Sequence, residues 1–557
     1  MAQRRWLVFA VLAGLLSACG PQATPPPTGD ASAPSSGPPQ PKVNRVVLAV
    51  PPPTAESNEP RMLGQTTLWQ LRPMYEYLIG YDPNNGRFTP ELATDWALNP
   101  DGRSYSFKLR RGVQFHGGYG EYTSKDVEHT WRDLIQDGST HAAVPYFKEV
   151  VRSIDTADPY TAVFHVDPES PLGVANLLNA ISATESVLEQ MSKADFEKNG
   201  PATMQSGPKA GTGPYQFKER AQGQYLRFER AAQHYQHRPD FPEFEFRFQR
   251  EASTRLAALL TNEVHVASLP DDLMTQAQRQ GFKAVQGRVP GLRAFFNVVC
   301  CFLKEPRNPA AGPMLGETPL QDARVRRALQ KAINLDELNK AFFGGKGSPM
   351  HHTHLHPTRP GWNPEWERSF QASHGYDPEA ARRLLTEAGY NSTRPVQTNL
   401  FVTNASAFSS SADMIEAVAG YWRAVGVNVQ LVTVDEAERS RKARAFEYNN
   451  HLVLVATSSA ELIGARTYWT SLGPRGDHME DPELDAVMQQ ITREIDPQKR
   501  DGLWRRFGDA SYPKQMSINL FWLPAEAVVN PSIVADWVFP GAISGTWTHV
   551  WNIKAAP

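Results

Sequence analysis

The sequence predicts an α/β protein organised as two bodies that share more than one crossover. Three observations carry that expectation. Segments with strand period alternate with segments of helix period along the chain, which favours helices packed on sheets. One stretch runs strand, helix, strand in succession, the order of a parallel α/β unit. A turn cluster, "GTGPY" at 211–215, separates a helix-and-loop region from a fresh run of strands, as when a chain leaves one body for another.

Taken in order, "SYSFKLRRGVQF" sets Tyr105, Phe107 and Leu109 on one face and Ser, Lys and Arg on the other, the period of a half-buried strand. "TSKDVEHTWRDLI" follows with Val127, Trp131, Leu134 and Ile135 at helical spacing, and Thr123 or Ser124 is placed to cap it. Beyond the turn cluster come the strand runs "YQFKER", "YLRFER" and "FEFRFQ", then a helix in "STRLAALLTNEV". "DARVRRALQKAIN" repeats the helical stripe with Val325, Ala328, Leu329, Ala332 and Ile333. "YDPEAARRLLTEAGY" holds every part of a helix. Asp377 caps it, Pro378 fills the first turn, Ala381, Leu384, Leu385 and Ala388 form the stripe, and Gly389 stops it. "NLFVT" then reads as a strand, a helix carries Ile415, Val418, Trp422 and Val425, and "VNVQLVTV" returns as a strand. "HLVLVAT" from His451 adds another.

The ends carry different information. Arg4 and Arg5 precede an apolar run from Trp6 to Leu16, which reads as a secretory signal and is too short for the roughly 20 residues of a stable span. Leu16-Ser17-Ala18-Cys19 resembles the bacterial lipobox, which implies removal of residues 1–18 and acylation of Cys19. Two acyl chains anchor durably where one does not. Residues 19–43 then form a lipidated cysteine and a Pro/Ser/Gly tether, with almost no large apolar side chain to repay ordering.

The remainder of the 557 residues is long enough for two or three cores, and it contains no second apolar run of membrane length. A net charge of -2 without a basic block argues against nucleic acid as a partner. Besides Cys19, the only cysteines of the 3 are Cys300 and Cys301, so the core and not a disulfide framework holds the fold. Neighbouring side chains on a strand point to opposite faces, so this pair is expected as two buried free thiols, with a strained vicinal disulfide as the alternative. The zinc helix H-E-x-x-H, the nucleophile elbow G-x-S-x-G and the Walker A loop do not occur in the sequence.

Seven stretches in order resemble the family-5 extracytoplasmic solute-binding proteins, the oligopeptide, dipeptide and nickel receptors of bacterial ABC importers. They are "FTPELATDWALNPDGRSYSFKLRRGVQFHGG", "TSKDVEHTW", "GTGPYQF", "STRLAALLTNEVHVA", "DARVRRALQKAINLDEL", "YDPEAARRLLTEAGY" and "YWRAVGVNVQLVTVD". The resemblance covers roughly residues 44–550. It implies a bilobal periplasmic-binding-protein fold, type II and cluster C-like, with an extra subdomain in the first lobe. Lobe I would comprise 44–60, 205–290 and 515–557, the inserted subdomain 61–204, and lobe II 291–514. It also implies a non-enzymatic, extracytoplasmic, lipid-anchored monomer without a resident cofactor. Such a protein would capture a peptide-like or other small solute in the interlobe cleft and deliver it to an ABC permease. A secreted lipid-anchored enzyme and a nickel or metal-chelate receptor are the alternatives.

The resemblance also nominates site residues. Tyr146 in "AAVPYFKEV", Phe295, Phe296 and Asn297 in "AFFNVVCCFLKEP", and Trp469 in "ARTYWTSLG" are candidates for the ligand wall. Peptide-binding relatives place an aspartate after a lobe II strand, in a pattern like Gly-Trp-x-x-Asp, to pair with the ligand's amino group. The corresponding stretch, "HLVLVATSSAELIG", has Val455 at the tryptophan position and Ser458 at the aspartate position, followed by Ser459, with Glu461 near enough to substitute. A buried ammonium without a carboxylate costs several kcal/mol, so the departure weakens the case for peptides held by a free amino terminus. In "SPMHHTHLHPTRPGW", His351, His352, His354 and His356 could take Ni2+, Cu2+ or Zn2+ through neutral imidazole, or form a pH-sensitive rim.

Overall fold

The structure is a computed structural model that describes residues 41–557 apart from 64–66, 142, 171–176, 184–186, 201–209, 290, 306–307, 313, 403–410, 435, 458–464, 467, 473–477, 495 and 542–546. Two sheets form its frame. The first runs Lys283–Gln286, Glu526–Val529, Val266–Ala267, Arg45–Val50, Glu243–Phe248, Tyr225–Arg230 and Tyr215–Ala221. Arg45–Val50 pairs parallel with both of its neighbours. It is apolar after its first residue because both faces are covered: Val46, Leu48 and Val50 enter one core and Val47 and Ala49 another.

The second sheet runs Ser348–Pro349, Ser517–Leu523, Leu292–Val299, His451–Thr457, Gln397–Val402 and Asn428–Thr433. The expected strand, helix, strand unit is here. Gln397–Val402 pairs parallel with Asn428–Thr433 across the helix Ser411–Ala424. Trp422 on that helix is fully buried, and its indole N–H donates to the Leu329 carbonyl at 2.9 Å, so the ring sits in the core without an unmet donor. A third, antiparallel sheet of Ala93–Leu98, Ser104–Leu109, Thr161–Val166 and Val151–Asp158 has its own core. Against it lies the helix Ser124–Ile135, started by a capping box between Thr123 and Asp126. Among the described residues no helix is long and apolar enough to cross a membrane.

The chain passes between the two main sheets twice, at 287–291 and at 524–525. The crossovers are tied to each other, since Gly287 N–H donates to Ala525 O at 2.8 Å and Gly291 N–H to Leu523 O at 3.2 Å. A Cβ at Gly287 would stand 2.8 Å from both Gly541 Cα and Pro540 O, so only glycine fits this approach.

Two expectations need correction. Residues from 515 onward were assigned to the first lobe, yet Ser517–Leu523 belongs to the second sheet. Every residue of "SINLFWL" is buried, and the strand pairs with both Leu292–Val299 and Ser348–Pro349 before the chain returns at Glu526. Cys300 and Cys301 are joined by a disulfide instead of remaining free. The alternation argument fails because the strand ends at Val299 and Cys301 has φ +69°, outside the extended region that would turn the two side chains apart.

Candidate functional site

Charged side chains carried by the two lobes meet at several points. On the side of the crossovers, Lys346 of the second lobe reaches Glu526 at 2.6 Å and Asp271, at the start of the helix Asp271–Arg279, at 3.4 Å. Arg359 Nη2 donates to the Tyr81 hydroxyl at 3.3 Å. Two longer-range electrostatic interactions accompany these contacts. Glu149 is the charge that acts on Arg466, and Arg500 is the charge that acts on Tyr105. In each of these contacts the cation lies within 292–523, the stretch that carries the second sheet, and its partner lies outside it. Burial holds both Arg466 and Arg500 below the ordinary guanidinium range, with Glu149 partly offsetting the effect on Arg466. The Arg466 Nε is buried and makes no hydrogen bond.

The nominated residues differ in their surroundings. Tyr146 is half-buried on the helix Val144–Val150, packed edge-on against Phe147, three positions before Glu149 and therefore near the same helix face. Burial pushes its hydroxyl well above the ordinary phenol range. Phe295, Phe296 and Asn297 are fully buried on a strand paired on both sides. Phe296 packs edge-on against Trp422 at 5.6 Å, and Phe295 packs against His354 and Tyr468 at 5.9 Å each. Trp469 packs too, stacked on Phe507 with its N–H donating to Ser517 Oγ at 2.9 Å. Ser458, Ser459 and Glu461 lie outside the described residues.

The histidine tract packs its side chains among aromatic and polar neighbours, with His352 and His354 both against Trp469. His351 meets Trp362 and Phe370, while buried His352 hydrogen-bonds Ser511 Oγ at 3.0 Å. His354 Nδ1, also buried, receives Arg293 Nη1 at 2.6 Å, and His356 pairs with Thr358. Among the described residues no three His, Cys, Asp or Glu side chains come together to hold a metal.

Sequence reasoning passed over Lys346, Arg359, Arg466, Arg500 and Glu149. Arg466 sits inside the stretch quoted for Trp469, three positions ahead of it. An arginine beside a buried Tyr-Trp pair was the one local signal available.

A second polar cluster joins residues 72–91 and 189 to residues 234–235 and 551. Arg72 makes a bidentate pair with Glu91 at 2.7 and 3.0 Å, and its guanidinium lies over the rings of Tyr77 and Trp551 at 4.8 and 4.9 Å. The Tyr235 hydroxyl donates to Glu76 at 2.8 Å, and His234 sits 3.2 Å from the same oxygen. The Tyr77 hydroxyl donates to Glu189 at 2.8 Å. Burial raises all three carboxyls, but to different net effect. At Glu76 the His234 hydrogen bond and the charges of His234 and Arg72 outweigh it and hold the group low. At Glu91 burial wins over Arg72, and at Glu189 it pushes the carboxyl up to about 8.

The sequence profile of the bacterial extracellular solute-binding proteins, family 5 Middle, matches residues 87–474. The chain belongs to this family. As a family-5 solute-binding protein it is an extracytoplasmic binding protein and not an enzyme. The family-5 chain is 24% identical over 392 residues to the dipeptide-binding protein of Escherichia coli (strain K12), covering 68% of this chain and 69% of that one. It is 26% identical over 366 residues to a putative ABC transporter peptide-binding protein of Brucella ovis, covering 65% of this chain and 63% of that one. In fold it is similar to NikA from Brucella suis, solved in complex with Fe(III)-EDTA, with a TM-score of 0.73 at 18% identity over 92% of this chain and 99% of that one.

Proposed function

We propose that this protein captures a peptide-like or other small solute between its lobes and hands it to an ABC permease. It would do so as a monomer, outside the cytoplasm, moored by acyl chains on Cys19. The observation that carries the reading is the pair of hydrogen-bonded crossovers with charged side chains meeting across the gap beside them. A solute that touches both walls favours the closed arrangement by its extra affinity for that arrangement, and release to the permease reverses it. The peptide-binding names of the curated relatives support the solute class. The lipobox and the proline-rich tether support the anchor, which would keep the receptor concentrated near its transporter.

Native mass spectrometry of the tag-free protein should find a co-purified solute, and solution scattering should show contraction when the protein is saturated with it. Unchanged dimensions with every compound that binds would refute the closing clamp. For the anchor, Cys19→Ser should move the protein from the detergent phase to the aqueous phase in phase partitioning. Equal partitioning of both forms would remove the anchor.

A further inference from the structure

We infer that Cys300 and Cys301 form a redox-active centre: an extracytoplasmic dithiol of the Cys-x-x-Cys class reduces their bond and thereby loosens the loop that follows. It would do so whichever solute the receptor takes. A bond between chain neighbours is a poor staple, because a cross-link stabilises by the length of loop it closes. What it does here is change the phase of a strand. Val299 packs into a small core with Phe302, Phe401 and Val453, while Val298 and Cys300 enter the large core of the second sheet. Alternation would next send Cys301 to the small core and Phe302 to the large one. Instead Cys301 packs on the large core with Cys300, and Phe302 lands with Val299 in the small one. The one-residue slip is made at Cys301, whose φ of +69° is a left-handed conformation that a non-glycine residue adopts at a cost.

The loop hangs from this slip. Cys300 N–H donates to the His478 carbonyl at 3.3 Å, and buried Phe302 meets the rings of Phe446 and His478 at 5.0 and 5.1 Å. Leu303 N–H donates to Glu480 Oε2 at 3.1 Å, Lys304 N–H to Gly312 O at 3.1 Å and Met314 N–H to Phe302 O at 2.7 Å. Met314 and Leu315 are two of the three large apolar side chains exposed among the described residues, so the slip fixes the placement of an apolar surface patch. Cys300 is fully buried and Cys301 half-buried, which makes Cys301 Sγ the point of attack. A thiolate of the reductant bonds to Cys301 Sγ, and Cys300 Sγ leaves with the electron pair and takes a proton. The second thiol of the reductant then resolves the mixed disulfide. Two electrons and two protons thus pass to the cysteines, and the reductant departs as its own disulfide. The ring no longer holds Cys301 at positive φ, and Phe302 is released together with the loop bonded to it.

The test uses the full chain, dithiothreitol as the dithiol, and hydrogen exchange read at single amides. Dithiothreitol should reduce the pair in the folded protein, counted by mass as two newly trapped thiols. In the reduced form the Leu303, Lys304 and Met314 amides should exchange about 10- to 100-fold faster, the shift that relief of one left-handed residue allows, while the strand Ser104–Leu109 is unchanged. Cys300→Ser/Cys301→Ser should exchange as the reduced parent does, with or without dithiothreitol. Cys300→Ser/Cys301→Gly should keep the slow exchange of the oxidised parent, because glycine takes a φ of +69° freely. A pair that dithiothreitol reduces only after urea unfolding would overturn the inference, as would equal exchange of the three amides in oxidised and reduced protein. Either result leaves the receptor function standing, since neither touches solute capture.

Discussion

Replacing Glu189 by glutamine should flatten the alkaline side of the stability profile. Glu189 is 1% exposed, accepts the Tyr77 hydroxyl, and is pushed by burial from 4.5 up to about 8. The folded protein therefore holds a proton that the unfolded chain releases near 4.5. Stability from this group is complete below 4.5 and is lost as pH rises through about 8. At about 1.4 kcal/mol per pH unit, the interval is worth about 5 kcal/mol. Glutamine keeps the shape and the acceptor for Tyr77 but cannot ionise. Parent and Glu189→Gln should thus unfold at nearly the same urea concentration near pH 5, and the variant should become the more stable by several kcal/mol near pH 8.5. Comparing the two proteins cancels every other titrating group. Midpoints that run parallel across this range would refute the argument, because they would show Glu189 ionised in the folded state at no cost.

Other expectations follow from the same structure. Burial depresses His352 and His374 to about 3 and His141 and His265 to about 4, so their contribution is present above 6.5 and lost as pH falls from there; melting temperature should drop steeply below about pH 6.5, and a flat profile down to pH 5 would contradict it. Glu91→Ala removes the bidentate partner of the buried Arg72 guanidinium, leaving Glu76 as its remaining counter-charge, and should cost about 3–5 kcal/mol, measured by calorimetry. Trp422→Ala removes a fully buried ring from the second core and should cost about 3–5 kcal/mol in urea unfolding; a loss under about 1 kcal/mol would mean the helix Ser411–Ala424 is not seated as described.

The parts of the fold legible in the sequence are those whose signals are local. The helix Pro378–Glu387 begins after a side-chain cap from Asp377 and is followed by Gly389 at φ +88°, as the caps and stripe required. The parallel unit around the helix Ser411–Ala424 was legible because its strands and helix differ in period and follow one another directly. Allegiance between sheets was not legible for Ser517–Leu523, since a strand buried on both faces reads as an unbroken apolar run whichever sheet it joins. The same ambiguity hid the fate of Phe295 and Phe296, where alternation cannot tell a wall from a core. The pairing of Glu149 with Arg466 spans more than half of the chain, and no local spacing records it.

The tied crossovers have a mechanical consequence. Two segments bridged by rungs at Gly287–Ala525 and Gly291–Leu523 form a short ribbon that can bend across its width while its rungs oppose sliding. Sliding of one crossover past the other would break these rungs, so bending across the ribbon is the motion that the two halves can make at least cost. A fluorophore pair placed on the two sheets far from the rungs would therefore register such bending as a change in a single distance.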